Sequence, residues 1–143
     1  MSTPTEALQL ALAAEHATIW GYGVVGAQLS GREQPLARAA DKAHRTRRDL
    51  LISALGSRVP SPPPTASSYE LPFPVQDAAS ARRLAVHLEE RLAAVWRAAL
   101  AAVTDLPDRQ LAVSALIDAA TRGVQWRLAV PGATATVAFP GAS

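Results

Sequence analysis

Residues 34–55 place charged side chains on the same helix face as apolar ones. That face consists of Asp41, His44, Arg48, Leu51 and Leu55, at spacings of 3, 4, 3 and 4 residues. The apolar half predicts that the face points into a core, where charged groups rarely lie without partners. Other helices must therefore supply partners for this polar group, and that requirement constrains the fold more than any other feature of the sequence.

The composition favours one all-α domain. The 143 residues suit a single domain spanning 1–143, and the absence of cysteine excludes disulfides and thiolate metal sites. Aromatic residues make up only 5% of the chain, and alanine supplies much of its apolar content. Such a composition is typical of closely packed helices and unfavourable for sheets.

The charge balance and the absence of long apolar runs limit the possible partners. A net charge of +2 is too small for the dense basic face of a nucleic-acid-binding protein, so no nucleic-acid partner is expected. No stretch has about 18 consecutive apolar residues, and the N-terminus lacks the pattern of a secretory signal. We therefore expect a cytoplasmic protein without a membrane partner.

Four segments have helical periodicity: 4–29, 34–55, 77–103 and 108–130. Thr3 and Glu6 form a predicted capping box at the first helix, and Asp77 is a suitable N-cap for the third. We expect three seams to be buried: Leu8, Leu12, Glu15, Ile19, Tyr22, Gly26 and Leu29 in helix one; Ala85, Glu89, Leu92, Trp96, Ala99 and Val103 in helix three; Val113, Ile117, Ala120, Val124 and Leu128 in helix four. In helix three a second stripe overlaps the first: Leu84, Leu88, Val95 and Ala99.

The segment 57–76 contains six of the eleven prolines and joins helices two and three. Tyr69, Leu71, Phe73 and Val75 give it apolar anchors that a free linker would not need. At about 3.1 Å per residue, an extended proline-rich segment can run the length of a helix. We interpret it as a long Pro-rich crossover along the bundle, which makes helices two and three parallel. The C-terminal tail, 131–143, is expected to pack on the bundle.

A glycine motif in helix one resembles a nucleotide fingerprint. Gly21, Gly23 and Gly26 have the required spacing, but that motif needs a strand-to-helix turn in a βαβ unit. The surrounding residues have helical periodicity instead. The glycines are therefore interpreted as positions where a neighbouring helix approaches closely.

Four helices with a long crossover between the second and third is the topology of ferritin-like bundles. Their di-iron sites take one Glu from each of two helices and a Glu-x-x-His from each of the others. Glu15 and Glu89 match the two single Glu positions, and Asp41-x-x-His44 matches the first paired position. Asp118 begins the second pair, where Thr121 replaces the histidine.

The chain thus resembles the ferritin-like superfamily and, within it, a small uncharacterised family. The family is marked by Glu15-His16 before an aromatic-glycine run, His44-Arg45-x-Arg47-Arg48-Asp49, and Phe139-Pro140-Gly141. The resemblance covers nearly the whole chain. It implies a ferritin-like four-helix bundle and no established chemistry.

The polar group can be interpreted as a metal site or as an ion-pair network. The metal interpretation places Fe or Mn on Glu15, Asp41, His44, Glu89 and Asp118. Against it, Asp41 is one methylene short, the second histidine is missing, and the guanidinium of Arg48 would repel a metal ion. The sequence favours a degenerate, metal-free site in which Arg48 and His44 pair with Glu15 and Glu89.

Three functional hypotheses remain, and the sequence leaves open whether the chain is an enzyme. The favoured one is a scaffold acting as a homodimer. It is suggested by the degenerate site and by Trp20, Trp96 and Trp126, which are more large aromatics than so alanine-rich a bundle needs inside; aromatics outside a core often mark an interface. The second is an Fe- or Mn-dependent redox or metal-handling protein. The third is a nucleic-acid accessory protein that would use Arg38, Arg45, Arg47, Arg82 and Arg83.

Overall fold

The computed structural model describes residues 2–132, and within that range the protein is a bundle of four α-helices with no β-strand. The helices are α1 (Pro4–Gln28), α2 (Glu33–Leu55), α3 (Ala78–Ala102) and α4 (Leu106–Leu128), with a 3₁₀ turn at Gly56–Arg58. The predicted all-α class and four helices are confirmed. In these residues no helix has the length and apolar character needed to cross a membrane. The predicted docking of the tail concerns residues 133–143, which lie outside the described range.

The helix ends follow local capping chemistry. Thr3 and Glu6 form the predicted capping box of α1, each side chain accepting a hydrogen bond from the other's backbone N–H. The Asp77 carboxylate accepts a hydrogen bond from the backbone N–H of Ser80, which confirms it as the N-cap of α3. Helix α4 begins two residues earlier than predicted, with Asp105 as its N-cap. Proline in the first turn of α4 suits a helix start, because its missing N–H would be unpaired there anyway.

Two buried clusters show in which direction each helix runs. The first contains Ala7, Leu8, Ala11, Leu12, Leu51, Leu55, Leu92, Trp96, Ala99, Val103, Ala112 and Ala115. The second contains Tyr22, Val25, Leu29, Ala37, Ala40, Ala81, Leu84, Ala85 and Trp126. Helices α1 and α4 therefore run from the first cluster to the second, whereas α2 and α3 run from the second to the first.

The segment between α2 and α3 contacts both clusters. Val59 packs against the first cluster, and Phe73 and Val75 pack against the second. Between these points, the backbone oxygen of Pro63 lies 3.0 Å from Nε2 of His16 in α1. Further along, the Tyr69 ring packs on Trp20, four residues later in α1. The segment thus advances in the same direction as α1.

The predicted seam of α4 is wrong. Val113, Ile117 and Leu128 are exposed, whereas the buried positions are Asp108, Ala112, Ala115, Ala119, Gly123 and Trp126. The small side chains allow close packing: a Cβ added to Gly123 would lie 3.8 Å from Cβ of Glu89 in α3. Both stripes of α4 have helical spacing, so periodicity alone could not decide which one is buried.

The tryptophans are not the exposed aromatics that the homodimer hypothesis assumed. Trp96 and Trp126 are buried in the two clusters, and Trp20 is partly covered by Tyr69. Their indole rings fill a core whose other members are largely alanine and leucine. Tryptophan content therefore gives no support to an interface in this protein.

The glycine motif lies in the middle of α1, as its helical context predicted. A Cβ on Gly21 would lie 2.7 Å from both Cδ atoms of Leu88, so α3 approaches closely there. A Cβ on Gly23 would meet no atom within 4 Å. The close-approach interpretation therefore fits Gly21 and does not fit Gly23.

These two glycines give a matched prediction. Gly23→Ala should raise the free energy of unfolding by about 1 kcal/mol, because alanine favours a helix interior over glycine. Gly21→Ala should gain clearly less, because the Leu88 side chain must move to admit the new methyl group. Urea unfolding of both variants tests this; equal gains would contradict the close packing of α1 on α3.

Candidate functional site

The centre of the bundle holds a hydrogen-bonded Glu–His–Glu network. His44 of α2 lies between Glu15 of α1 and Glu89 of α3, and all three side chains are buried. Nδ1 of His44 is 2.8 Å from Oε2 of Glu15, and Nε2 is 2.5 Å from Oε1 of Glu89. One imidazole thus connects three helices.

Aromatic side chains complete the surroundings of this network. The indole N–H of Trp96 donates to Oε1 of Glu15 at 3.0 Å, so both oxygens of that carboxylate accept a hydrogen bond. The Tyr22 ring stacks on His44 with centroids 5.5 Å apart, and Trp126 of α4 donates to the Tyr22 hydroxyl at 3.0 Å. Oε2 of Glu89 is buried and has no hydrogen-bond partner among residues 2–132.

The surroundings keep the histidine charged. Burial alone lowers the pKa of His44, but the hydrogen bonds to Glu15 and Glu89 and the charges of these carboxylates outweigh it, so the pKa rises to about 9. At neutral pH the imidazolium therefore donates from both nitrogens. Burial also raises the pKa of Tyr22 well above its usual value, and the charge of Glu89 raises it further. The phenol remains neutral.

The other predicted site residues lie away from the network. Asp41 pairs with Arg45 one turn along α2, at 2.9 Å. Asp118 accepts a hydrogen bond from Arg47 at 2.6 Å, and its side chain is 44% exposed. Arg48 pairs with its neighbour Asp49 rather than with a buried carboxylate. The expectation that Arg48 would satisfy Glu15 and Glu89 is therefore wrong; His44 alone reaches both.

Two members of the site were predicted to be buried beside its glutamates but were not predicted to belong to the polar group. Tyr22 follows Glu15 by seven residues, and Trp96 follows Glu89 by seven. Residues seven apart lie on the same helix face two turns away, so the buried face that carries each glutamate also carries its aromatic neighbour. That regularity was visible in the sequence.

The residues at the centre fit a divalent metal poorly. The structure brings together Glu15, His44 and Glu89, but both nitrogens of His44 are directed at carboxylates and leave no lone pair for a metal. Asp41 and Asp118, the other proposed ligands, lie in separate ion pairs. Within residues 2–132, no group of three or more His, Asp or Glu side chains has an arrangement that could hold a metal ion.

A separate groove lies between α1, α3 and the segment that joins α2 to α3. Its volume is about 830 Å³, and its lining is largely apolar, including Leu10, Trp20 and Leu88. His87 and Arg91 are among its polar members. None of the three residues of the Glu–His–Glu network lines it.

The chain is a small four-helix protein whose centre is held by an imidazolium between two glutamates. The model of the family described as "Domain of unknown function (DUF4439)" matches residues 7–143. The chain belongs to this family.

One solved structure has the same fold as this chain. The chain is similar to a conserved hypothetical protein from Mycobacterium tuberculosis, with 40% sequence identity and a TM-score of 0.86. The match covers 89% of this chain and 96% of the other. A comparison with curated proteins finds no match.

Removal of the imidazole should strongly destabilise the protein. His44→Ala leaves Glu15 and Glu89 buried without a counter-charge, and the loss of one partner from a buried ion pair costs roughly 3–5 kcal/mol. Arg48→Ala, one turn away, should cost about 1 kcal/mol or less because its ion pair is exposed. Urea unfolding measures both; equal losses would contradict the central position of His44.

Stability should fall as the pH rises through the range set by His44. The pKa is about 9 in the folded protein and 6.5 for a free histidine, so unfolding releases a proton between these values. The stabilisation is complete below pH 6.5 and is lost as the pH passes 9. Its loss amounts to roughly 3 kcal/mol, since each pH unit in this range contributes about 1.4 kcal/mol.

Unfolding free energies measured at pH 6, 8 and 10 test this dependence. The control is His44→Gln, in which the same fall should be absent while the other titrating groups remain. A wild-type curve that is flat or rises over this range would contradict a protonated His44 between the two glutamates.

Proposed function

We propose that this chain is a ferritin-like scaffold that works without a bound metal and acts by association as a homodimer. The observation that carries the proposal is the placement of His44 between Glu15 and Glu89. An imidazolium there supplies the positive charge that metal ions supply in a di-iron bundle.

Helix directions support the ferritin-like arrangement. Two helices run in each direction, with the pair α2 and α3 parallel, as judged from the two buried clusters. Val59 at one end and Val75 at the other support a Pro-rich crossover between α2 and α3. A long crossover between the second and third helices is a feature of ferritin-like bundles.

The chemistry of the buried network favours a structural role over a redox role. Each carboxylate has an imidazolium N–H as a donor, and Glu15 has a second donor in Trp96. Buried charges that are paired and hydrogen-bonded in this way hold helices together without further ligands. Three helices contribute to the network, so it fixes their relative positions.

Association is supported by apolar side chains on the outside of the bundle. Several large ones are exposed, among them Leu106, Ile117 and Leu128 of α4. Contiguous exposed apolar surface on a small protein commonly marks an interaction site.

The two alternative functions have less support. One observation favours a cation: Oε2 of Glu89 is buried without a hydrogen-bond partner among residues 2–132. The arginines of the nucleic-acid hypothesis are largely occupied, since Arg45, Arg47 and Arg82 each pair with a carboxylate. Paired guanidinium groups bind phosphates less readily, because the carboxylate must first be displaced.

The test is elemental analysis of protein produced with added iron and manganese, together with sedimentation of the same sample. We expect far less than one metal ion per chain in both wild type and His44→Ala, and a dimeric mass for wild type. Stoichiometric metal in wild type that is lost in His44→Ala would overturn the metal-free proposal. A monomeric mass would overturn the homodimer separately.

A further inference from the structure

We propose that the two copies meet through one surface formed by α2 and α4, paired about a twofold axis at Ile117. This inference rests on the homodimer proposed above and names its interface. The surface, called the α2–α4 face, contains six of the eight large hydrophobic side chains that are exposed within residues 2–132. Its members are Leu36, Leu50, Leu106, Val113, Ile117 and Leu128.

The stripe on α4 has the pattern of a helix-packing seam. Val113, Ile117, Ala120, Val124 and Leu128 follow each other at spacings of 4, 3, 4 and 4 residues, close to the period at which two helices pack along their length. In this protein α4 packs on α3 through its small residues instead. The large side chains of the seam are left outside, with Ile117 59% and Leu128 71% exposed.

Arg47 joins α2 to this face. It donates hydrogen bonds to Ser114 and Asp118 of α4, at 3.3 Å and 2.6 Å. Leu50 follows Arg47 by three residues and Leu36 precedes it by eleven, which are close to one and three helical turns. Both leucines therefore lie on the same side of α2 as Arg47, the side turned towards α4. The apolar surface therefore extends across both helices.

The size of the face matches a stable interface. A helix of 23 residues is about 35 Å long, and two adjacent helices are about 20 Å wide, which gives roughly 700 Å². Stable protein complexes of standard size bury about 600–1,000 Å² on each partner. The face is therefore large enough for a dimer without a contribution from α1 or α3.

The charges on and beside the face favour an apolar, uncharged partner. Arg47 and Asp118 neutralise each other within it. Two of the three arginines of α4 are directed to the side of α3, since Arg109 donates to the carbonyl of Val103, the C-cap of α3, and Arg127 pairs with Glu90. A second copy presents the same apolar surface, whereas nucleic acid and anionic membranes require unpaired basic groups.

The positions of the two outer leucines set the axis. Leu106 and Leu128 lie eleven residues on either side of Ile117. In an antiparallel pair centred there, Leu106 of one copy meets Leu128 of the other at both ends. This register places Arg109 of one copy level with Gln125 of the other. A parallel pair would instead place Arg109 of one copy beside Arg109 of the other, and the two like charges would repel. The antiparallel arrangement also opposes the helix dipoles.

Sedimentation of the full chain tests the face. Ile117→Glu should raise the dimer dissociation constant about 100-fold or more, because two carboxylates would meet in an apolar interface. Leu10→Glu is the matched control. Leu10 is 60% exposed but lies on α1, so the dimer dissociation constant of this variant should equal that of the wild type. Circular dichroism establishes that each variant is folded.

The absence of cysteine from the chain allows a second test that needs no destabilising charge. Ile117→Cys should form a disulfide-linked dimer on oxidation, because residues at the axis bring their Cα atoms within about 7 Å. Leu10→Cys and Leu128→Cys should not. Linking through Leu128→Cys would overturn the antiparallel arrangement.

The outcomes separate this interface from the homodimer itself. A dimer that persists in Ile117→Glu, or one that Leu10→Glu dissociates, overturns the α2–α4 face and leaves the homodimer standing. A monomeric wild type overturns both. If the wild type is monomeric and the thiol of the Ile117→Cys variant also resists alkylation, then another part of the chain covers the face. That result also overturns the proposal.

Discussion

The bundle depends on one buried imidazolium. His44 carries a positive charge into the core, and it is stable there because carboxylates from two other helices receive both of its N–H groups. Each glutamate would in turn be costly to bury without the histidine. The three helices are therefore held in one register, since a shift of α1 or α3 by a single turn would leave a charge unpaired.

The core around this network has two kinds of packing. Near Glu15 and Glu89, Trp96 and Tyr22 are the large side chains, and the indole and phenol groups are hydrogen-bonded. On α4 most of the buried side chains are small, with Trp126 as the large exception, so this helix lies close to α3 and leaves Val113, Ile117 and Leu128 outside. One distribution of side chains, with small residues facing α3 and large ones facing outward, thus accounts for both the close packing of α4 and the apolar surface proposed for dimerisation.

Much of the fold was predictable because its signals are local. The capping box at Thr3 and Glu6 and the N-cap at Asp77 depend on residues three apart, and both form as expected. The seam of α3 that carries Glu89 is buried as expected, and the stripe that begins at Leu84 overlaps it, so either choice turns nearly the same face of α3 inward. In α4 two stripes compete, and the choice depends on how closely α3 approaches, which is a property of the assembled bundle.

The sequence by itself determined the helices, their ends and the presence of charged side chains on a buried face, because spacing along a chain fixes which residues share a helix face. It could not determine how those charges pair. Arg48 and His44 lie on the same face of α2, yet only the imidazole reaches both glutamates, while Arg48 turns to Asp49. Asp41 and Asp118 likewise form ion pairs with arginines near the surface rather than joining the network. Pairing is decided by distances between helices, and these exist only in the tertiary structure.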